Sequence, residues 1–467
     1  MIDLTNILPE ILLTVAAIAL LTVDFLKPDS KRVQLYLALG GCGFALWAIS
    51  SMTLGHGGEF LAADSLTYGF SVLMVIGALV TIALAACDSE VSRHWGSYMA
   101  LLLLAAAGCM LLVKARDFVF AFLAIELISI CSFILVGFER KDLRSTEGAL
   151  KYFLFGAFSS AIALFGISLY YAATGTTAFT LPQGIADTSM GVVYMTALVM
   201  VFVSFAFKAS LAPFHYWTPD AYQSAPVPIA AFLSVVPKLA AFAAMVNVFN
   251  QSILLDRAQL TTVFSVLAIL TMTVGNVSAL AQTDLKRLLA YSSIAQAGYM
   301  LIGLVCVSYT GMSAILFYGF AYLLMNLGAF ACVLWVIARS GSASLTACAG
   351  LGKQHFAMAL GFTFFLLSLA GIPPLVGFIG KFYLFSAAME TGWAWWIAAA
   401  GAVNSVISAF YYLRIIYEMF LVETDFKTAP VASQAKLSAL GMVIAILAIG
   451  VLAMGLYPDP LLILSRL

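Results

Sequence analysis

Charge is what this sequence has least of. Only 9% of its 467 residues are Asp, Glu, Lys or Arg, against roughly 25% in a soluble globular protein, which excludes a chain dissolved in water. The charges present cancel, 22 basic against 22 acidic. No Lys/Arg tract stands out, so nucleic acid is not an expected partner. The seven cysteines (Cys42, Cys87, Cys109, Cys131, Cys306, Cys332, Cys348) show no C-x-x-C or Cys/His ligand spacing. Most lie in apolar runs, where a thiol behaves as a small hydrophobe. The four histidines (His56, His94, His215, His355) are scattered through loops and helix ends. These residues offer no haem, iron–sulfur, zinc or nucleotide site. The start, "MIDLTNILPE", is acidic and lacks the basic region of a cleavable leader, so the first apolar run is expected to stay as a span.

Long apolar runs are what the sequence does have. Hydrophobic residues make up 63% of it. Runs of about 20 such residues, long enough to cross ~30 Å of hydrocarbon at 1.5 Å per residue, fall at 7–26, 34–54, 66–86, 97–113, 118–138, 149–173, 192–213, 226–250, 260–281, 287–307, 312–338, 357–388, 393–421 and 437–457. Fourteen spans make an all-α polytopic membrane protein. The loops on one side hold Lys27, Lys31, Arg32, Arg93, Arg140, Lys141, Arg144, Lys151, Lys286, Arg287, Arg339, Lys353, Lys427 and Lys436; the other side holds only Lys114, Arg116, Arg257 and Arg466. This 14-to-4 split orients the chain by its basic loops, with both termini facing away from the cytoplasm.

The remaining four basic residues lie inside spans. A charge at a helix centre costs roughly 2.5–3.5 kcal/mol on insertion scales and usually marks an ion path. Lys238 is 18 positions from both Asp220 and Asp256, which places it at mid-membrane. Glu126 sits about 12 Å into its span. Lys208 and Lys381 complete the set. Three lysines against one glutamate leave two ammonium groups without a counter-charge, so structural pairing explains the set poorly. An ammonium buried alone gives up its proton more readily, the property a proton relay needs. Arg414 has Glu418 four residues on and reads as a local pair.

Two of these lysines share a span with a proline break. Lys208 precedes Pro213 in "FAFKASLAPFHYW", and Lys381 follows Pro373 and Pro374 in "AGIPPLVGFIGKFYLF". Broken membrane helices are tolerated where the break faces protein or a wet cavity. Paired breaks in matching places are a mark of inverted repeats. Spans 4–8 and 9–13 form two blocks of five with the breaks in spans 7 and 12, and an odd number of spans forces the second block to run inverted. The organisation expected is one integral membrane domain over 1–467: three N-terminal helices within 1–96, a first repeat over 97–250, a second over 260–421, and a last helix at 437–457. Each break is expected to bring water and half-helix dipoles to its lysine. His215 and Asp220 in "HYWTPDAYQSAPVP" stand where protons would be taken up, and Tyr291 stands among hydroxyls that could wire water.

The segments "EGALKYFLFGAFSSA", "FKASLAPFHYWTPDAYQSAPVP", "ALAQTDLKRLLAYSSIAQAGYMLIGL", "YLLMNLGAF" and "SLAGIPPLVGFIGKFY" resemble the antiporter-like membrane subunits of respiratory complex I, the NADH-quinone oxidoreductase. The resemblance implies two inverted five-helix bundles and a proton path along Glu126, Lys208, Lys238 and Lys381. A lysine at the last of these positions is unlike subunit M. The short tail after the last span is unlike subunit L. It further implies that this chain binds no cofactor, and that FMN, iron–sulfur clusters and quinone belong to partner subunits, membrane and peripheral, within a lipid bilayer. The expected place is a bacterial plasma (inner) membrane. A multisubunit cation/proton antiporter, a related membrane-bound hydrogenase or dehydrogenase, and a purely structural spacer stay open as alternatives.

Overall fold

The computed structural model describes residues 4–53, 58, 60–88, 94–139, 141–179, 190–252, 257–306, 308–422 and 433–459. His56, Arg93, Arg140, Asp256, Lys427 and Arg466 lie outside them, as does the side chain of Arg257. The chain runs through α1 (Leu4–Leu26), α2 (Lys31–Ser50), α3 (Ser65–Cys87), α4 (Trp95–Lys114), α5 (Phe118–Val136), α6 (Leu143–Thr174), α7 (Met190–Ala209) and α8 (Trp217–Ser224). It continues through α9 (Val227–Ser252), α10 (Arg257–Leu280), α11 (Leu285–Val305), α12 (Tyr309–Ser340) and the single turn α13 (Leu351–Gln354). The last elements are α14 (Phe356–Ala370), α15 (Val376–Glu390), α16 (Trp395–Phe420) and α17 (Gln434–Leu456).

Among the described residues 13 helices are long and apolar enough to cross a membrane. The fourteenth span is the run at 357–388, which folds as α14 and α15, 15 residues each. At 1.5 Å per residue each is roughly 22 Å long and cannot cross alone. Polar side chains set where the helices start. Asp117 accepts from the backbone N–H of Val119 and Phe120 at the head of α5, and Asp284 accepts from that of Arg287 in α11. Such caps satisfy donors that a helix leaves orphaned.

The centre of the bundle is α9 and α12. Every residue of Val227–Val248 is buried, in contact with α3, α4, α7 and α12, while α12 packs on α9, α11, α14, α15 and α17. Contacts between loops sort the helix ends into the two groups that the basic residues suggest. At the basic end Lys436 reaches the Asp88 carbonyl at 2.8 Å and Lys286 the Ala225 carbonyl at 3.1 Å. At the opposite end Arg116 N–H bonds the Phe60 carbonyl at 3.0 Å.

Two expectations fail here. Lys114 is no loop residue. It is fully buried, 2.7 Å from Glu10 and 2.7 Å from the Asn6 carbonyl of α1. Arg414 does not pair with Glu418 within 4 Å; it is exposed and donates to the Leu280 and Gln282 carbonyls at 3.3 and 3.4 Å. The carbonyl-rich end of α10 supplies a better partner for it than a neighbour on its own helix.

Candidate functional site

Lys208, Lys238 and Lys381 are all buried, and among the described residues none has a carboxylate within 4 Å. Each is held differently. Lys208 Nζ donates to the Tyr152 hydroxyl at 3.1 Å and lies 5.2 Å from that ring's centre. Lys238 Nζ donates to Ser293 Oγ at 2.8 Å and stands 5.6 Å from the Tyr222 ring. Lys381 Nζ donates to the Leu369 and Ala370 carbonyls at 3.0 and 3.1 Å and sits 4.4 Å from the Tyr299 ring.

Those carbonyls are the orphan acceptors of the last turn of α14, where a helix carries its partial negative charge. The break in span 12 therefore supplies the dipole that Lys381 needs. Gly371 makes the approach possible. Its φ of +89° suits glycine, and a Cβ there would stand 3.0 Å from Lys381 Cδ.

The break in span 7 works otherwise. The groups it frees are met by protein: Ala212 N–H by Thr271 Oγ1 at 3.0 Å, and the Phe207 carbonyl by Trp217 Nε1 at 3.0 Å. Lys208 takes its partner from α6 instead. A third irregularity, Pro237 inside α9, precedes Lys238 directly. Proline cannot donate to the carbonyl four residues back, and the Tyr222 hydroxyl takes that Leu233 carbonyl at 2.8 Å. Tyr222 is thereby drawn to Lys238.

Between Lys238 and Lys381 the interior is polar. Ser293, beside Lys238, neighbours Ser292, whose hydroxyl is 2.5 Å from that of Tyr412. Gln296 Nε2 donates to the Tyr412 hydroxyl at 3.3 Å and to the Leu369 carbonyl at 3.2 Å, and Leu369 is also an acceptor for Lys381. Tyr318 donates to Gln296 Oε1. The Tyr322 hydroxyl is buried without a hydrogen-bond partner among the described residues. From Lys208 to Lys238, by contrast, a line of ring contacts runs. Tyr152 stacks on Trp217 with centroids 4.1 Å apart and planes 9° apart, and Trp217 meets Tyr222 edge-on at 5.9 Å.

Glu126 is only half-buried. It accepts from the Ser160 hydroxyl and acts on Lys208 through its field, without an ion pair. His215 is buried within the field of Lys238, its Nδ1 lacking a hydrogen-bond partner among the described residues. Asp220, on α8 beyond the apolar run, lies 3.0 Å from Lys151 and 2.5 Å from Arg287. Partial burial works against its charge, but Arg287 and Lys151 outweigh that and hold its carboxyl below the usual carboxylate range. Tyr291 lies beside Arg287, whose guanidinium is 5.9 Å from its ring, and among the described residues no hydrogen bond joins it to Ser292, Tyr412 or Gln296. A cleft of about 690 Å³ opens at this basic end beside Lys151, Asp220, Asp284 and Lys286. Another of about 630 Å³ opens at the opposite end beside Cys306, Thr310, Glu390 and Trp393.

Sequence reasoning missed Tyr152, Trp217, Ser293, Gln296 and Tyr412. It also missed the chain's one buried Lys–Glu pair among the described residues, which serves as an internal comparison. Where a buried lysine ties helices together, as Lys114 does with Glu10, it has a carboxylate. The three axial lysines do not. Their insertion cost is on the order of 10 kcal/mol together, comparable to the whole stability of a folded domain.

A sequence family described as NADH:quinone oxidoreductase/Mrp antiporter, transmembrane, matches residues 115–408. The chain is 39% identical over 461 residues to NADH-quinone oxidoreductase subunit N of Trichlorobacter lovleyi, covering 95% of this chain and 94% of that one. Among solved structures it is similar to a chain of respiratory complex I from Thermus thermophilus, with a TM-score of 0.82 and 33% identity over 97% of this chain and 98% of that. It shares its fold with a chain of the Mrp complex from Dietzia sp., with a TM-score of 0.87 and 21% identity over 99% and 96%.

Proposed function

The chain belongs to the membrane-subunit family of NADH:quinone oxidoreductase and the Mrp antiporters, on its subunit N branch, and from that premise we propose that it moves protons along Glu126, Lys208, Lys238 and Lys381, driven by NADH oxidation in partner subunits. One observation carries this reading: three buried ammonium groups on one axis, each held by hydroxyls, carbonyls or rings and none by a carboxylate. Such groups can be charged or neutral without breaking an ion pair that the fold depends on.

In this reading the basic end faces the cytoplasm of a bacterial inner membrane, both termini face outward, and the cleft around Asp220 takes up protons. Lys238 gives up its proton toward Lys381 through water ordered by the polar groups of Ser293, Ser292, Tyr412 and Gln296, and the cleft beside Glu390 releases it. The flavin, iron–sulfur clusters and quinone belong to other subunits; lipid surrounds the apolar faces.

The test is Lys238→Ala in the purified, assembled complex in liposomes. Proton translocation through this chain should fall on the order of 10²-fold, the scale of one positioned proton-transfer group, and coupled quinone reduction should slow with it. Undiminished pumping in the assembled variant would refute the relay. The Mrp-type fold similarity supports a second reading, an antiporter without redox partners. A native gel stained for NADH–dye activity separates the two, because only the first predicts activity in the band that holds this chain.

A further inference from the structure

We infer that Trp217 is a proton valve between Lys208 and Lys238, a closed barrier that keeps the axis from leaking when the complex is idle. The inference rests on the reading that both lysines carry protons. The observation behind it is the run of rings that separates them. Lys208 lies against Tyr152, Tyr152 stacks flat on Trp217 at 4.1 Å, Trp217 meets Tyr222 at 5.9 Å, and Tyr222 lies against Lys238. Phe207 closes on Trp217 from α7, at 5.2 Å. All four rings are buried.

Flat rings in van der Waals contact admit no water between them, and a proton cannot cross an aromatic face without one. The polar atoms of this wall are also turned to fixed partners. Trp217 Nε1 is bound to the Phe207 carbonyl, and the Tyr222 hydroxyl to the Leu233 carbonyl. Neither is free to relay. The Tyr152 hydroxyl accepts from Lys208. A pump needs such a barrier, because an unbroken line of exchangeable groups from one face to the other would conduct down the gradient it builds. Toward Lys381 the side chains are hydroxyls and an amide rather than stacked rings, so the barrier is assigned to the ring segment.

α8 gives the barrier a handle. Trp217 opens this eight-residue helix, and Asp220, three positions on, is clasped by Lys151 of α6 and Arg287 of α11. A shift of those helices at the basic end moves the indole at the other end of a rigid turn.

Replacing the indole by a methyl group leaves room for several waters at about 30 Å³ each. The Tyr152 hydroxyl, the Phe207 carbonyl and the two ammonium groups would anchor them. The experiment is passive proton flux into liposomes bearing the whole complex, under an imposed potential and without NADH. Trp217→Ala should raise the flux about tenfold or more, the change that a barrier 1.4 kcal/mol lower gives. Adding Lys208→Ala should return it to the starting level. If Trp217→Ala does not assemble, Trp217→Phe keeps a ring against Tyr152, loses the indole N–H bond, and should give a smaller rise. No rise in an assembled variant overturns the valve and leaves the Lys238 test standing. A rise that survives Lys208→Ala also overturns it, because that leak runs outside the lysine axis.

Discussion

The two stretches that flank Lys238 are built from opposite materials. Toward Lys381, Ser292, Tyr412 and Gln296 offer hydroxyl and amide groups to one another. Toward Lys208, Tyr152, Trp217 and Tyr222 offer faces and edges of rings. Both stretches are equally buried, so the difference between them lies in chemistry and not in burial. What distinguishes them is the side chains they bring together: hydroxyls and an amide on one side, ring faces and edges on the other. The same contrast separates the two breaks. The one in span 12 turns its orphan carbonyls toward a lysine, whereas the one in span 7 spends a carbonyl on an indole.

The contrast can be broken from the polar side first. Gln296→Leu removes the group that joins Leu369, Tyr412 and Tyr318, and leaves their polar atoms buried without it. Each such loss costs about 1–3 kcal/mol. Proton translocation should drop roughly 10- to 100-fold while passive flux stays at its starting level, as measured in liposomes. A rise in passive flux would mean that the polar stretch also blocks. A finer cut is Tyr152→Phe, which keeps the stack on Trp217 and removes only the hydroxyl bonded to Lys208. One hydrogen bond is worth about 0.5–1.5 kcal/mol, so turnover should slow about two- to tenfold with no leak. A leak would show that the hydroxyl, rather than the ring, closes the segment. The smallest effect concerns pH. Because Asp220 is held below the ordinary carboxylate value, its clasp is fully present above about pH 4 and is lost only as pH falls through the lowered value. Passive flux should therefore stay flat between about pH 5 and 8 in the native protein, and Asp220→Asn should not add a pH step within that window.

The spans and the depth of their lysines could be read in the sequence because hydropathy and spacing are local properties. Every apolar run became a helix or a pair of half-helices, and the two proline breaks fell where the runs predicted. The partners could not be read in the same way. Gln296 meets Leu369 from 73 residues away, and Ser292 meets Tyr412 from 120. With 19 tyrosines in the chain, nothing local marks Tyr152 or Tyr412 above Tyr291. Lys114 reads as a loop residue because the apolar run stops at 113; its partner is on α1. One signal of a distant partner is local. A proline immediately before a mid-membrane lysine, Pro237 before Lys238, frees a carbonyl one turn back, and something polar must come to meet it.

The Glu10–Lys114 pair also bears on how the chain is made. Glu10 enters the bilayer with the first helix, while Lys114, which also bonds the Asn6 carbonyl 108 residues upstream, emerges only at the end of the fourth. Until then the first helix carries a carboxylate with no cation to meet it, at a cost of roughly 2.5–3.5 kcal/mol near the membrane centre and less toward its face. α1 packs on both α2 and α4, so the apolar contacts with the second helix can form first, and the Glu10 charge is met only once the fourth helix is in place.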